Sequence, residues 1–421
     1  MWKEDSIMQT KLGRKFWISM LIFGLMGQVA WVVENMYFNV FIYKMFHATA
    51  ADISLMVMAS AVTAALTTII MGAVSDKVGK RKAFMSAGYI IWGISIVTFA
   101  YIHSVALTIV MDCVMTYFGS TANDAAYNAW LTDRGDSTNR GKIEGVNSMM
   151  PLVAVLIVFG GFMSFNLDEH SAWVTIYYII GIATTLIGVL GWFIIEDDPD
   201  LKKSEESMGE TLAYSFRPSV AKENKKLYLT LLNFAVFGIS IQIFMPYLII
   251  YYEKTLGLTN YVMIFAPAIL LAAVATVFYG RLYDSRGFMK SILPVAAMLL
   301  VGYTILYFTQ PLAALQAFIG SLIAMTGYLA GMSIFGAMIR DNIPEGRAGQ
   351  FQGVRIIGQV FVPGLIGPAV SAWLLRNADV IVNSDGTESF LPGKVIWSAS
   401  AAVIVILVAV LILTMKERKE N

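Results

Sequence analysis

Three carboxylic acids lie inside long apolar stretches of the chain. Glu34 belongs to "GQVAWVVENMYFNVFIY", Gly27 to Tyr43, and Asp112 and Asp124 lie together in a later stretch. In a surrounding of low dielectric constant, such an acid can take up and release a proton or be discharged by a cation. The three acids therefore predict a cation-coupling site. For Glu34 the alternative is a hydrogen bond between helices without titration.

Polar and aromatic side chains share one face of each of three apolar stretches. At 100° per residue, a helical first stretch places four of them within about 80° of one another, and these are Gln28, Trp31, Asn35 and Asn39. The fourth stretch carries Asp112, Thr116, Gly119, Asn123 and Tyr127, with Asp124 at the edge of the face. The seventh carries Asn233, Ser240, Phe244, Tyr247 and Tyr251.

Polar groups that face lipid are costly, so these faces should line a cavity or contact another helix. Three such faces on equivalent helices favour a cavity, and Glu34 lies roughly 100° from the centre of its face. We expect the substrate to contact Gln28, Trp31, Asn35, Asn39, Asn123, Tyr127, Asn233, Tyr247 and Tyr251. Hydrogen bonding between helices is the alternative for each of them.

Composition places the chain in the membrane class. Of its 421 residues, 57% are hydrophobic and only 14% are charged, which is far less charge than a soluble domain of this size carries. A net charge of +1 argues against a nucleic-acid partner. The single cysteine, Cys113, has no partner for a disulfide.

Twelve apolar runs are long enough to span a bilayer, at roughly 20 residues each. Of the 30 Lys and Arg residues, 26 fall before the first run, after the even-numbered runs or in the C-terminal tail. The positive-inside rule therefore predicts a multi-pass protein of the cell membrane with both termini in the cytoplasm. The first run has no cleavage site and reads as an uncleaved helix.

An internal repeat divides the chain into two parallel halves. Gly72, Asp76, Gly79 and Lys82 match Gly280, Asp284, Gly287 and Lys290 at a constant offset of 208 residues. The same offset relates Asp133, Gly141, Gly145 and Val146 to Asp341, Gly349, Gly353 and Val354. Repeats of this kind are typical of transporters. We predict a six-helix bundle at 1–195, a cytoplasmic linker at 196–226 and a second six-helix bundle at 227–421.

The loop "GAVSDKVGKRK" after the second helix resembles the signature of the major facilitator superfamily, with a weaker copy after the eighth helix. The resemblance covers the whole chain and implies an all-α membrane protein of two pseudo-symmetric six-helix bundles. It also implies that a set of loop residues acts as conformational latches, namely Gly72, Asp76, Gly79, Arg81, Gly280, Asp284 and Gly287. The alternative is a loop that only anchors the helices by its positive charge.

Within this superfamily, "NAWLTDRGDSTNRGKIEGVNSM" resembles the glycoside-pentoside-hexuronide:cation symporters and the related sucrose carriers. That likeness implies cation-coupled uptake of a sugar or glycoside, which also suits Asn and Gln side chains beside Trp31 and Tyr127. The second helix lacks the carboxylates of sodium-coupled members, which favours a proton. A drug/proton antiporter that exports hydrophobic compounds is the main alternative, and a non-transporting sensor of the same fold is a remote one.

No enzymatic function is expected. His47, His103 and His170 fall near the predicted outer ends of helices and form no metal or catalytic cluster. The chain has no GxxxxGK[ST] phosphate loop, so direct drive by ATP is not supported within this chain. We expect no cofactor and no metal, a small-molecule substrate with a co-transported proton or other cation, the lipid bilayer as surrounding, and function as a monomer. The segment Arg376 to Lys394 predicts a small hairpin around Gly386.

Overall fold

The structure is a computed structural model that describes residues 12–135, 140–198, 213–344, 348–383 and 386–416. Within these residues, twelve helices are long and apolar enough to cross a membrane. This confirms the fold class predicted from the sequence.

The helices alternate in direction, and most connections are short, whereas those after α6 and α11 are longer. In chain order they are Arg14–Phe46 (α1), Ala50–Val78 (α2), Lys82–Tyr101 (α3), Val105–Arg134 (α4), Arg140–Phe162 (α5), His170–Ile194 (α6), Lys225–Thr255 (α7), Tyr261–Arg286 (α8), Phe288–Phe308 (α9), Ala314–Arg340 (α10), 348–375 (α11) and Val395–Lys416 (α12). We call the end of the bundle that carries residues 14 and 416 the near end. The far end carries the connections that follow the odd-numbered helices.

Helix packing repeats between the halves. In the first half α1 packs on α5, α2 on α4, and α3 on α6. In the second half α7 packs on α11, α8 on α10, and α9 on α12. The halves meet along two seams, α2 against α11 and α5 against α8. Bulky apolar side chains such as Leu66, Phe193 and Phe278 stay exposed on the outer surface, as the lipid-facing side of a membrane bundle requires.

Four of the helices contain a π-helical turn. These turns are Val33–Tyr37 in α1, Ser120–Tyr127 in α4, Tyr251–Thr255 in α7 and Ile357–Phe361 in α11. A π turn inserts extra residues into the helical repeat, so it rotates the faces on either side relative to each other. Side-chain directions that follow from 100° per residue therefore fail across these turns.

The connection between α11 and α12 forms the predicted hairpin. Strand β1, Val380–Val382, pairs antiparallel with β2, Glu388–Phe390. Gly386 has a φ of 83°, a left-handed conformation that glycine adopts without strain. The hairpin lies at the far end of the bundle.

The predicted linker, 196–226, is described in part. A short helix, Pro218–Glu223, precedes α7, and its Val220 is buried. Residues 199–212 lie outside the described part. The boundaries of the two bundles stay predictions from the sequence.

Candidate functional site

A cavity of about 380 Å³ lies in the middle of the bundle, between the two halves. The first half supplies Gln28, Trp31, Glu34, Asn35, Asn39, Met56, Val57, Ser60, Ala61, Ala64, Asp112, Thr116 and Asp124. The second half supplies Gln242, Gln359, Val360 and Gly364. Three of the four π turns contribute to this lining, through Glu34 in α1, Asp124 in α4 and Gln359 in α11.

Glu34 is held by hydroxyl groups of two neighbouring helices. Its Oε1 accepts hydrogen bonds from Ser60 Oγ of α2 at 2.8 Å and from Thr116 Oγ1 of α4 at 2.9 Å. The two hydroxyl oxygens are themselves 2.9 Å apart. Glu34 Oε2 is buried and has no hydrogen-bond partner within the described part of the chain. The carboxylate thus both contacts neighbouring helices and lines the cavity, two positions that the sequence left as alternatives.

The other two acids come from α4. Asp112 is 2% exposed, and its Oδ1 is also buried and without a hydrogen-bond partner among the described residues. Asp124 is half-buried and accepts a hydrogen bond of 2.9 Å from Ser120 Oγ, one helical turn earlier. All three predicted coupling acids therefore line one cavity, whose described lining contains no Lys, Arg or His side chain.

Carboxamide side chains supply most of the remaining polar lining. Asn35 Nδ2 donates to Trp31 O at 2.8 Å, and Asn39 Nδ2 donates to Asn35 O at 3.0 Å. Their oxygens remain available as acceptors. On α11, Gln359 Oε1 accepts a bond of 3.3 Å from Arg355 Nε, which leaves the Gln359 amide nitrogen as a donor.

Gln242, Gln359 and Ser60 line the cavity although the sequence did not predict them as site residues. For Gln242 a signal existed, since it matches Glu34 at the 208-residue offset. Gln359 lies in a π turn, where helical spacing gives no reliable direction. Ser60 is a lone hydroxyl in an apolar helix, which sequence patterns do not distinguish from helix packing.

Asn123 and Tyr127 of α4, both predicted to contact the substrate, lie behind the cavity wall. Asn123 Nδ2 donates to Tyr89 Oη at 2.9 Å. Tyr127 Oη donates to Met20 O at 3.1 Å and lies 3.1 Å from Asn147 Oδ1. These bonds join α4 to α1, α3 and α5, and both residues are buried.

The α7 residues also lie outside the cavity lining. Asn233 Nδ2 donates within its own helix to Leu229 O at 2.7 Å. Tyr247 Oη donates to Ala50 O of α2 at 2.7 Å, and Tyr251 Oη donates to Leu306 O of α9 at 3.4 Å. The structure does not bring these three side chains to the acids, so a substrate contact for them stays a prediction.

Arg81 centres a network at the near end of the first half. Its Nη2 lies 2.5 Å from Asp76 Oδ1, its Nε 2.8 Å from Asp133 Oδ2, and its Nη1 2.5 Å from Ser75 Oγ. Burial disfavours the charged guanidinium, but Asp133 and Asp76 outweigh it and raise the pKa of Arg81. Asp197 Oδ1 accepts from Arg81 N at 2.8 Å, so the start of the linker joins the same network.

The glycines of the two repeated motifs have different surroundings. The prediction that all of them lie in loops is wrong for Gly72 and Gly280, which lie inside α2 and α8, because both helices continue past them. Gly79 ends α2 in a left-handed conformation, φ 68°, and Gly287 between α8 and α9 has a φ of 76°. Gly72 and Gly280 have open space where a side chain would begin.

The second half has a reduced version of this network. Met289 stands at the position that matches Arg81, and Asp284 matches Asp76. Asp341, which matches Asp133, accepts a hydrogen bond from Tyr283 Oη instead of from an arginine. The repeat is therefore chemically asymmetric at the near end.

Charged side chains join the halves at the far end. Lys44 Nζ of α1 lies 2.6 Å from Glu253 Oε1 of α7 and 3.0 Å from Asp168 Oδ1. Lys254 Nζ lies 3.3 Å from Glu253 Oε1. Partial burial of Asp168 raises its pKa, but the charge of Lys44 outweighs burial and holds the pKa below its ordinary value.

The hairpin extends these contacts. Tyr43 Oη of α1 donates to Phe390 O of β2 at 2.8 Å, and the two rings meet edge to face. Ser54 Oγ of α2 donates to Pro368 O of α11 at 2.8 Å. Together with the Lys44–Glu253 pair, these bonds join the two halves at the far end.

A bundle of two six-helix halves around a central polar cavity is the architecture of a membrane transporter. The sequence profile of the Major Facilitator Superfamily matches residues 16–368, and the chain belongs to this family.

Curated relatives and solved structures agree with this assignment. Sugar efflux transporter A of Dickeya chrysanthemi is 22% identical over 328 residues, 76% of this chain and 80% of that protein. Sugar efflux transporter B of Salmonella typhimurium is 22% identical over 183 residues, 44% of this chain and 46% of that protein. The nucleoside transporter NupG has a TM-score of 0.71 at 10% identity, covering 94% of this chain and 98% of its own. A bacterial homologue of the human lysosomal transporter Spinster has a TM-score of 0.70 at 16% identity, covering 96% of both chains.

Proposed function

We propose that the protein is a secondary active transporter that moves a sugar or glycoside across the membrane by alternating access, coupled to protons. One observation carries this proposal. A single cavity between the halves combines three acids, two of them with a buried carboxylate oxygen that lacks a hydrogen-bond partner among the described residues, with carboxamides and an indole ring.

The hydrogen-bonding groups of the cavity suit a polyhydroxylated ligand. On α1, Asn35 and Asn39 offer oxygens as acceptors, because their nitrogens already donate to the backbone. On α11, Gln359 offers a donor, because Arg355 occupies its oxygen. Sugar hydroxyls both donate and accept hydrogen bonds, so one sugar can bond to the oxygens on α1 and to the donor on α11. Relatives named sugar efflux transporters support the same substrate class.

Proton coupling is assigned to Glu34 and Asp112. A buried polar atom without a partner costs free energy, and protonation would turn each lone carboxylate oxygen into a hydroxyl group that can donate. Glu34 Oε1 already accepts two hydroxyl bonds, which leaves Oε2 as the oxygen that would carry the proton. Asp124 serves as a third acid on the same wall.

The contacts at the two ends support alternating access. Lys44, Tyr43 and Ser54 join the halves at the far end, so these bonds have to break before the cavity opens there. The Arg81 network at the near end lies within the first half and moves with it. By the distribution of Lys and Arg, the near end is cytoplasmic. The described state is therefore closed towards the outside.

For direction we propose export. The sequence resemblance to symporters favours uptake, whereas two relatives, matched over 80% and 46% of their own lengths, are named for efflux. Both directions use the same cavity and the same acids. They differ in the proton gradient that drives sugar accumulation. In uptake by symport, protons and sugar cross the membrane in the same direction, and in export by antiport they cross in opposite directions.

The test is transport of radiolabelled mono- and disaccharides by purified protein in proteoliposomes. An imposed proton gradient should move sugar against its concentration gradient, and a sodium gradient of equal size should not. Glu34→Gln and Asp112→Asn should each reduce proton-driven sugar accumulation to passive equilibration. The control Glu223→Gln changes an exposed acid of the linker helix and should behave as wild type. If no sugar moves under either gradient, the substrate class is wrong.

A hydrophobic cation exchanged for protons is the second candidate. It is favoured by the described cavity lining, which has three acids and no basic side chain. Proteoliposomes loaded with a lipophilic cation should then lose it when protons enter. Loss of the cation combined with no movement of any sugar would select this function over the first.

A further inference from the structure

Trp31 forms an aromatic part of the cavity wall on α1. Its Nε1 is buried and has no hydrogen-bond partner among the described residues, so this nitrogen is not exposed to a ligand in the cavity. Apolar aromatic surface beside polar groups is the combination that binds the carbon-bound hydrogens of a sugar ring. The position of this ring is set by residues that do not touch the cavity.

Trp92 of α3 supports Trp31 from behind. The ring centroids are 5.1 Å apart at 48°, and Trp92 is completely buried. Trp92 in turn meets the edge of Tyr89 at 5.4 Å. Tyr89 is fixed because its hydroxyl donates to Phe23 O at 2.6 Å and accepts from Asn123 at 2.9 Å. A series of hydrogen bonds and ring contacts thus connects α3 to the cavity wall.

Gly119 of α4 lies directly against both indole rings. A Cβ at this position would lie 2.8 Å from Trp92 Cε2 and 3.1 Å from Trp31 Cη2, both too close for an ordinary contact. A methyl group would therefore displace rigid rings rather than the end of a flexible chain. The absence of a side chain at Gly119 is what lets the two indoles lie against α4.

We propose that Trp31 selects ligands with a ring face, and that Gly119 and Trp92 are positioning residues that set its depth in the cavity. The ligand class is a pyranose or glycoside, in preference to an open-chain polyol. This inference rests on the proposed function, since it assigns the selectivity of the same site.

The experiment compares a methyl glucoside with the alditol sorbitol in proteoliposomes, measuring KM and maximal rate for each. Wild type should prefer the glucoside, and Trp31→Leu should lower that preference about five- to tenfold, as expected for loss of one aromatic contact. Gly119→Ala and Trp92→Leu should lower the preference in the same way, mainly through the KM of the glucoside. The KM for sorbitol should stay within about twofold.

Two glycine controls separate positioning from general damage. Gly160→Ala of α5 adds a methyl group where nothing lies within 4 Å, and Gly327→Ala of α10 adds one 2.7 Å from Leu299 Cγ, far from the indoles. Gly160→Ala should match wild type, and Gly327→Ala should lower thermal stability without changing the preference. Unchanged preference in both Gly119→Ala and Trp92→Leu would overturn the inference while leaving sugar transport intact. Wild type that carries neither compound would instead overturn the proposed function.

Discussion

Lys44 of α1 and Glu253 of α7 form a 2.6 Å ion pair that joins the two halves at the far end, and both side chains are nearly buried. Truncating one partner of such a pair leaves a charge without its counter-charge, which is costly. Lys44→Met should therefore weaken far-end closure and increase labelling of a cysteine placed at Ala50, a buried residue at the far-end start of α2, by about tenfold or more.

The matched control for this prediction is charge reversal. Lys44→Glu alone should open the far end as Lys44→Met does, and Lys44→Glu combined with Glu253→Lys should restore closure in part. Restoration in the double variant measures the coupling between the two residues directly. Equal labelling in all of these variants would show that the pair does not hold the far end.

The dependence of far-end closure on pH follows from Asp168. Burial raises its pKa, but Lys44 of the same half and Lys254 of the other half hold the pKa below its ordinary value. The attraction between Asp168 and Lys254 therefore contributes to closure above the ordinary pKa of an aspartate, about 3.9, and is lost as pH falls through the lowered pKa. Labelling at the far end should thus stay constant between about pH 5 and pH 8. A rise in labelling over that range, absent in Asp168→Asn, would contradict this assignment.

The Arg81 network predicts an effect on stability at the near end. Arg81→Ala removes the guanidinium from half-buried Asp133 and should lower the free energy of unfolding by on the order of 2 kcal/mol. Arg81→Lys keeps the charge but lacks the planar fork, so it should recover only part of the loss. Thermal unfolding in detergent measures both. Met289→Ala, at the equivalent position of the second half, removes no ion pair, so it should not lower the free energy of unfolding through lost electrostatic attraction.

The seam between α2 and α11 offers a test of how the two halves move relative to each other. A Cβ at Gly364 would lie 2.4 Å from Ala61 Cβ of α2, so Gly364→Ala should force the halves apart at this seam. Gly367→Ala is the control, since its Cβ would meet Gln242 of the same half at a similar distance, 2.5 Å. Only Gly364→Ala should increase far-end labelling. Equal labelling in both variants would mean that the seam does not set the closed state.

Much of the fold could be predicted from the sequence. Helices that span a bilayer need long apolar runs, and the internal repeat places matching motifs at equivalent positions of the two halves. The acids were found for the same reason, since charge stands out in apolar helices. The contacts of Glu34 were not, because the π turn Val33–Tyr37 changes the helical spacing at that residue. Tyr247 and Tyr251 show the remaining limit: a polar face that bonds neighbouring helices has the same pattern as one that lines a cavity.

Proton movement driven by sugar is the most direct test of the account. Purified protein is reconstituted with a pH-sensitive dye inside the vesicles, and a sugar gradient is imposed without any initial proton gradient. Wild type and Glu223→Gln should show a pH change that follows the sugar, while Glu34→Gln should equilibrate sugar with no pH change. Sugar movement without a pH change in wild type, or an undiminished pH change in Glu34→Gln, would contradict proton coupling through this acid.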